Sequence, residues 1–185
     1  MHPSDIVNKT QVDPAQLRRA LGAFVTGVTV VTTRNGNGEP VGLTVNSFNA
    51  VSLAPPLVLW SLSLRAASYE SFVRASHYTV NVLAADQMPL SEAFAKTGGN
   101  KFADIAWRSG LEDMPLLEGT SASFTCSNAN RYPGGDHLIF VGEVIAFEQH
   151  GRVPLAYANG RYIDLQSTRD GAEITVKPTD TLTSR

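Results

Sequence analysis

The chain has 185 residues, of which 43% are hydrophobic and 17% charged, and its formal net charge is −2. That length suits one domain of roughly 100–200 residues, can bury a core without staples, and has too much apolar content for a disordered chain. The near-neutral balance, with no block of like charges, leaves no electrostatic footprint for nucleic acid.

Residues 1–12 read as a polar lead-in. Asp13 then offers an N-cap, Pro14 suits the first helical position, and Gln16 completes a capping-box-like spacing. Leu17, Ala20, Leu21 and Phe24 fall on one apolar helix face, and Gly27 is the expected stop. Val28 to Thr33 is β-branched throughout, and Asn35-Gly36-Asn37-Gly38 predicts a hairpin turn into a strand at 41–45. Phe48 to Ser52 continues extended until Ala54-Pro55-Pro56 breaks it. Leu57 to Leu62 is nearly all apolar and reads as a strand buried on both faces. Ser68 caps a short helix at 69–75, and His77 to Leu83 is again a strand. A second short helix follows Asp86, with Leu90, Ala93 and Phe94 inward and Gly98-Gly99 as its stop. Residues 100–119 read as irregular. Ala122, Phe124 and Cys126 alternate with Ser123, Thr125 and Ser127, a half-buried strand. After the Pro133–Asp136 turn, His137 to Gln149 is one long strand. Leu155–Tyr157 and Arg161–Leu165 pair around Asn159-Gly160. The folded domain is thus expected over 13–165, with a polar, mobile tail at 166–185. Six or more hairpin-joined strands with a few short helices imply a mainly β, antiparallel barrel.

Common catalytic signatures are missing. No P-loop or nucleophile elbow is present. Gly36, Gly38 and Gly42 narrowly miss a dinucleotide fingerprint and read instead as turn chemistry. The four histidines are scattered, without metal-ligand spacing. The single cysteine, Cys126, can form no internal disulfide. With no apolar signal core over Met1 to Gln11 and no run near the ~20 residues of a membrane span, a reducing cytoplasm is expected.

The informative stretch is Gly42-Leu43-Thr44-Val45-Asn46-Ser47-Phe48, followed by Val51-Ser52-Leu53-Ala54-Pro55-Pro56-Leu57. Thr44, Asn46 and Ser47 are short hydrogen-bonding side chains between apolar strands, and buried polar groups are costly unless paired. A flat ligand with polar edges is one partner for them; a strand edge ending in small residues is the other reading. The stretch resembles the flavin reductase-like, FMN-binding split-barrel family, which includes reductase components of two-component aromatic monooxygenases. Phe24-Val25-Thr26-Gly27-Val28-Thr29-Val30, Tyr78-Thr79-Val80-Asn81-Val82-Leu83, Gly135-Asp136-His137 with Ile139 to Val144, and Pro154-Leu155 with Tyr157, Gly160 and Tyr162 resemble further family segments in the same order, over roughly 15–165.

The resemblance implies an antiparallel split β-barrel that passes hydride from NADH or NADPH to FMN or FAD and supplies reduced flavin to a partner monooxygenase. It implies that Thr44, Val45, Asn46 and Ser47 line the isoalloxazine, and that Ser61 and Ser63 face the ribityl chain. Arg65 and Ser68 reach the phosphate, although Arg65-Ala66-Ala67-Ser68 departs from the family's usual asparagine or lysine with a hydroxyl pair. Lys101-Phe102 lies near the phosphate or dinucleotide end. By the same resemblance His137 would serve the nicotinamide side, where Tyr157 and Tyr162 would cover a ring or simply pack. The family is usually a homodimer with flavin at the subunit interface. The cofactor would carry the chemistry, with the protein holding donor and acceptor rings about 3–3.5 Å apart. Three other readings stay open: a split-barrel oxidase acting on a phosphorylated pyridoxine, a non-enzymatic flavin- or haem-binding protein, and a flavoenzyme reducing another bound acceptor.

Overall fold

The computed structural model describes residues 12–166 and a strand at 175–178. Residues 1–11 of the expected lead-in, and the tail apart from that strand, lie outside them. Asp13 caps helix α1 (Pro14–Gly22), its carboxylate accepting the Ala15 N–H at 2.9 Å, with Pro14 in the first turn. The helix stops before the expected Gly27. The Gly22 carbonyl accepts the Asn159 N–H at 2.7 Å, and Gly27 belongs to strand β1 (Thr26–Gly27). Among the described residues, Leu21 of α1 is 66% exposed and Phe24, just beyond the helix, 72%.

A seven-stranded sheet forms the body. Its strands are β2 (Thr29–Arg34), β3 (Pro40–Val45), β4 (Asn49–Leu53), β5 (Pro56–Ser63), β6 (His77–Val82), β9 (Ala122–Gly134) and β10 (His137–Gln149), in the spatial order β3-β2-β6-β9-β10-β5-β4. Every pairing is antiparallel. The sheet curls so that the end of β3 approaches β5. Ser47 fastens this seam, its hydroxyl accepting the Ser61 N–H at 2.9 Å and lying 3.2 Å from the Ser61 carbonyl. The result is an antiparallel split β-barrel. Beside it, β1 joins β11 (Ala156–Ala158), β12 (Arg161–Gln166) and β13 (Thr175–Pro178) in a second sheet. Asn159 and Gly160 make the β11–β12 turn with φ of 51° and 78°, the conformation that favours asparagine and glycine there. The strand at 175–178 falls where the sequence gives only a polar tail; it is held by main-chain pairing with β12.

Two helices close the barrel, α2 (Tyr69–Arg74) and α3 (Met88–Ala95). The stretch expected to be irregular contains a small ribbon, β7 (Trp107–Ser109) paired with β8 (Pro115–Leu117). Its strands are too short for alternation to show. β5 is buried on one face only: Val58, Trp60 and Leu62 point inward, while Leu57, Leu59 and Ser61 stay partly exposed. An apolar run conceals that difference, because the outward residues Leu57 and Leu59 are as apolar as the inward ones.

The core packs around fully buried Trp60, which stacks on Phe140 at 4.6 Å between centroids and meets Phe72 and Tyr78 edge-on. A second cluster, with Val28, Leu83, Phe94, Phe102 and Leu155, fills the space between the barrel, α3 and the small sheet. Asn81, fully buried, ties the layers together. Its amide donates to the Val30 carbonyl and Thr32 hydroxyl at 3.0 Å each, and its oxygen accepts the Leu117 N–H at 2.9 Å. No described helix is long and apolar enough to cross a membrane.

Candidate functional site

A cleft of about 450 Å³ opens between β3, the turn leading into α2, and the loop after α3. Gly42, Leu43 and Thr44 form one wall; Ala67, Ser68 and Ser71 form the second; residues 96–102 form the third. Gly42 sits inside β3 rather than in a turn. A Cβ there would come within 2.8 Å of Phe94 Cε1, so the glycine lets α3 pack onto the strand. This corrects its reading as turn chemistry.

Lys101 crosses the base of the cleft. Its ammonium donates to the Phe94 carbonyl at 2.9 Å and reaches toward that of Gly42 at 3.4 Å. Phe94 lies in the last turn of α3, where carbonyls lack helical partners and a cation is favoured. Burial draws the lysine below its ordinary pKa. Phe102 also lines the cleft, but its ring is in the core, edge-on to Phe94 at 5.1 Å and to Trp107 at 5.6 Å.

Thr44 donates to the Ser91 carbonyl at 2.6 Å, and the Ser91 hydroxyl pairs with the Tyr162 hydroxyl at 2.9 Å. Tyr162 in turn stands edge-on to its register partner Tyr157, at 5.4 Å. Sequence reasoning assigned Thr44 and both tyrosines but missed Ser91. The signal was available: Ser91 lies three residues before Phe94, on the same buried helix face, where a hydroxyl needs a partner. Leu90 and Ala93, expected inward with Phe94, are only partly buried.

The other expected residues divide between two places. Ser68 lines the cleft. Val45 packs on the barrel core, and Ser47 holds Ser61 as described. Asn46 is exposed, contrary to its reading as a polar group between apolar strands; it follows β3 where the chain crosses toward β5. Ser61, Ser63 and His137 lie instead on the outer face of the sheet. Register pairs His137 with Ser63 and Ile139 with Ser61, and alternation puts Leu57, Leu59 and Val141 on the same face. His137 Nδ1 is 2.7 Å from Asp136, whose carboxyl is held below the usual carboxylate range by that hydrogen bond. Arg65 is exposed on the turn between Ser63 and the cleft wall and adds a weaker attraction on Asp136. That turn joins the two places: Leu64 N–H donates to the Asp136 carbonyl at 3.0 Å, and Ala66 to Ser68 already line the cleft.

Residues 21–166 match the model of the flavin reductase like domain. The chain is 45% identical over 145 residues to an FMN reductase (NADH) of Agrobacterium fabrum, covering 78% of this chain and 82% of that one. It is 41% identical over 162 residues to the reductase component of a flavin-dependent trigonelline monooxygenase of Acinetobacter baylyi, covering 88% and 51%. The chain spans about half the length of that relative and of a probable flavin reductase of Rhizobium meliloti. Among solved structures, an NADH:FAD oxidoreductase of Streptomyces globisporus, in complex with NAD and FAD fragments, superposes with a TM-score of 0.80 at 38% identity, over 86% of this chain and 98% of that one.

Proposed function

The chain belongs to the flavin reductase-like domain family, and from that premise we propose that it oxidises NADH or NADPH and passes the hydride to FMN or FAD. We take residues 13–165 as the catalytic domain. The observation that carries the reading is the cleft between β3 and Lys101, which combines an apolar strand wall, hydroxyls on Thr44, Ser68 and Ser71, and one partly desolvated ammonium.

That donor set fits a flavin. The wall at Gly42 to Thr44 suits a flat ring, the hydroxyls suit a ribityl chain, and the cation suits a phosphate. When bound, the flavin supplies the hydride-accepting chemistry. The protein's part is to bind and orient. Lys101 meets the anionic end, with Ser68 on the facing wall and Arg65 on the turn beyond it. Thr44 to Ser47 border the ring, where main-chain N–H groups favour negative charge. His137, oriented by Asp136, holds the nicotinamide side, and Tyr157 with Tyr162 encloses it. No side-chain nucleophile is required.

The functional unit is a homodimer. The outer sheet face carries Leu57, Leu59, Ile139 and Val141 beside Ser61, Ser63 and His137, so a second copy laid on it would bring the histidine and both serines to the seam between subunits. The product, reduced flavin, goes to a partner monooxygenase. The A. baylyi relative, by name a reductase component, supports that step.

The test is NADH and NADPH oxidation by the purified protein with FMN, FAD or no flavin added. Saturable oxidation that depends on flavin is expected. A protein that binds flavin but leaves both nucleotides unoxidised would instead be a binding protein or an oxidase of another substrate.

A further inference from the structure

We infer that Ser91 is a positioning residue for hydride transfer: from one buried point it fixes the Tyr157–Tyr162 pair relative to the flavin-lining strand β3. The inference rests on the reading that those tyrosines stand on the nicotinamide side.

Ser91 is wholly inaccessible, in the middle of the eight-residue helix α3. A helix-interior serine ordinarily turns its hydroxyl to water or back to its own helix. Here the hydroxyl leaves the helix and meets the Tyr162 hydroxyl of β12 at 2.9 Å. The carbonyl of the same residue accepts from Thr44 of β3 at 2.6 Å. One residue therefore touches both the cleft wall, in the large sheet, and the ring pair, in the small sheet. The main chain joins the two sheets where Val28 links β1 to β2 and Leu155 bonds to Val28 and Leu83; to that fixed frame Ser91 adds a contact to a side chain of each, Thr44 and Tyr162. The helix is itself fastened to the wall, by Lys101 on the Phe94 carbonyl and by the close approach of Phe94 to Gly42. Tyr162 stands edge-on to Tyr157, so the hydroxyl contact on one ring also orients the other.

The two contacts are separable. Ser91→Ala deletes the hydroxyl and keeps the carbonyl that Thr44 uses, so the flavin wall stays in place while Tyr162 loses its contact to α3. Tyr162→Phe deletes the same contact from the other end and leaves the helix untouched, which keeps the test open if Ser91→Ala folds poorly.

The experiment is steady-state NADH oxidation and flavin titration on wild type, both single variants, the double variant and Tyr157→Leu. The inference predicts that each single variant raises the KM for NADH about three- to tenfold, the scale of one hydrogen bond. It predicts an unchanged flavin affinity and a double variant no worse than either single one. Ser91→Thr, which keeps a hydroxyl, should recover part of the loss. A merely structural serine would lower the melting temperature and leave the KM alone, and that result overturns the inference. So does a double variant whose defects multiply. Tyr157→Leu separates the two levels. If it raises the KM while Ser91→Ala and Tyr162→Phe do not, the positioning role fails and the nicotinamide-side reading stands. If all three leave the KM unchanged, the reading of the tyrosines fails as well.

Discussion

At the scale of single residues, the side chains differ in what they are free to do. The Ser47 hydroxyl is engaged in closing the barrel against Ser61, so Ser47→Ala should loosen the seam before it alters ligand contacts. His137 is partly exposed and oriented by Asp136. His137→Ala is expected to raise the KM for NADH several-fold with flavin affinity nearly unchanged; loss of flavin binding instead would move the histidine to the flavin. Cys126 is fully buried, and burial pushes its thiol from 9.0 up to about 12. Its folded value lies above its unfolded one, so the associated stability is complete below about pH 9 and is lost as pH climbs from 9 to about 12. Tyr78, raised in the same direction by burial, adds to the loss above its ordinary value of 10.0. Alkaline unfolding followed by circular dichroism should show this decline. Cys126→Ala should flatten it while starting about 1 kcal/mol lower, from the missing sulfur. An identical alkaline slope in that variant would remove the thiol from the account. At this scale the sequence identified residue types better than their partners. The sequence pointed to Thr44 and Lys101, which the structure places on the cleft, but not to Ser91, whose hydroxyl partner lies 71 positions away.

At the scale of elements, the cleft depends on how closely α3 lies against β3. Gly42 allows that approach, and Gly42→Ala would force Phe94 and its helix outward by several tenths of an ångström. Overpacking of this kind costs about 1–3 kcal/mol. The melting temperature should fall and flavin affinity with it, since Lys101 and Thr44 both bind to α3. A variant as stable as wild type would show that the helix yields freely. Most elements were legible because their signals are local. The Asp13-Pro14 helix start, the Asn35–Gly38 turn and the period-2 run of β9 each carry their cause in a few adjacent residues. The β7–β8 ribbon and the strand at 175–178 were not, because both are held by pairing with distant chain rather than by their own pattern.

At the scale of the whole molecule, apolar groups stay partly or fully open to solvent in two places among the described residues. Leu57, Leu59, Ile139 and Val141, each partly buried, share the outer sheet face with His137, while Leu17 and Leu21 of α1 and Phe24 just beyond it are exposed. The sequence reads Leu57 to Leu62 as buried on both faces, since a run of apolar residues carries no alternation to mark which face is left open. Light scattering is expected to give a dimer, and Leu59→Arg a monomer with impaired turnover, because the seam would lose its apolar contact. A wild-type monomer with full activity would show that each chain holds a complete site.

The claim beneath all of this is that flavin sits between β3, the turn before α2 and Lys101. Ala67 is exposed on one wall of that cleft and belongs to no strand or helix, so Ala67→Trp fills the space while sparing the core. The most direct measurement is a fluorescence titration of FMN and FAD against wild type and Ala67→Trp, with melting temperatures recorded beside it. The account predicts at least tenfold weaker flavin binding by the variant at an unchanged melting temperature. Equal affinity in the two proteins would place the flavin elsewhere and contradict it.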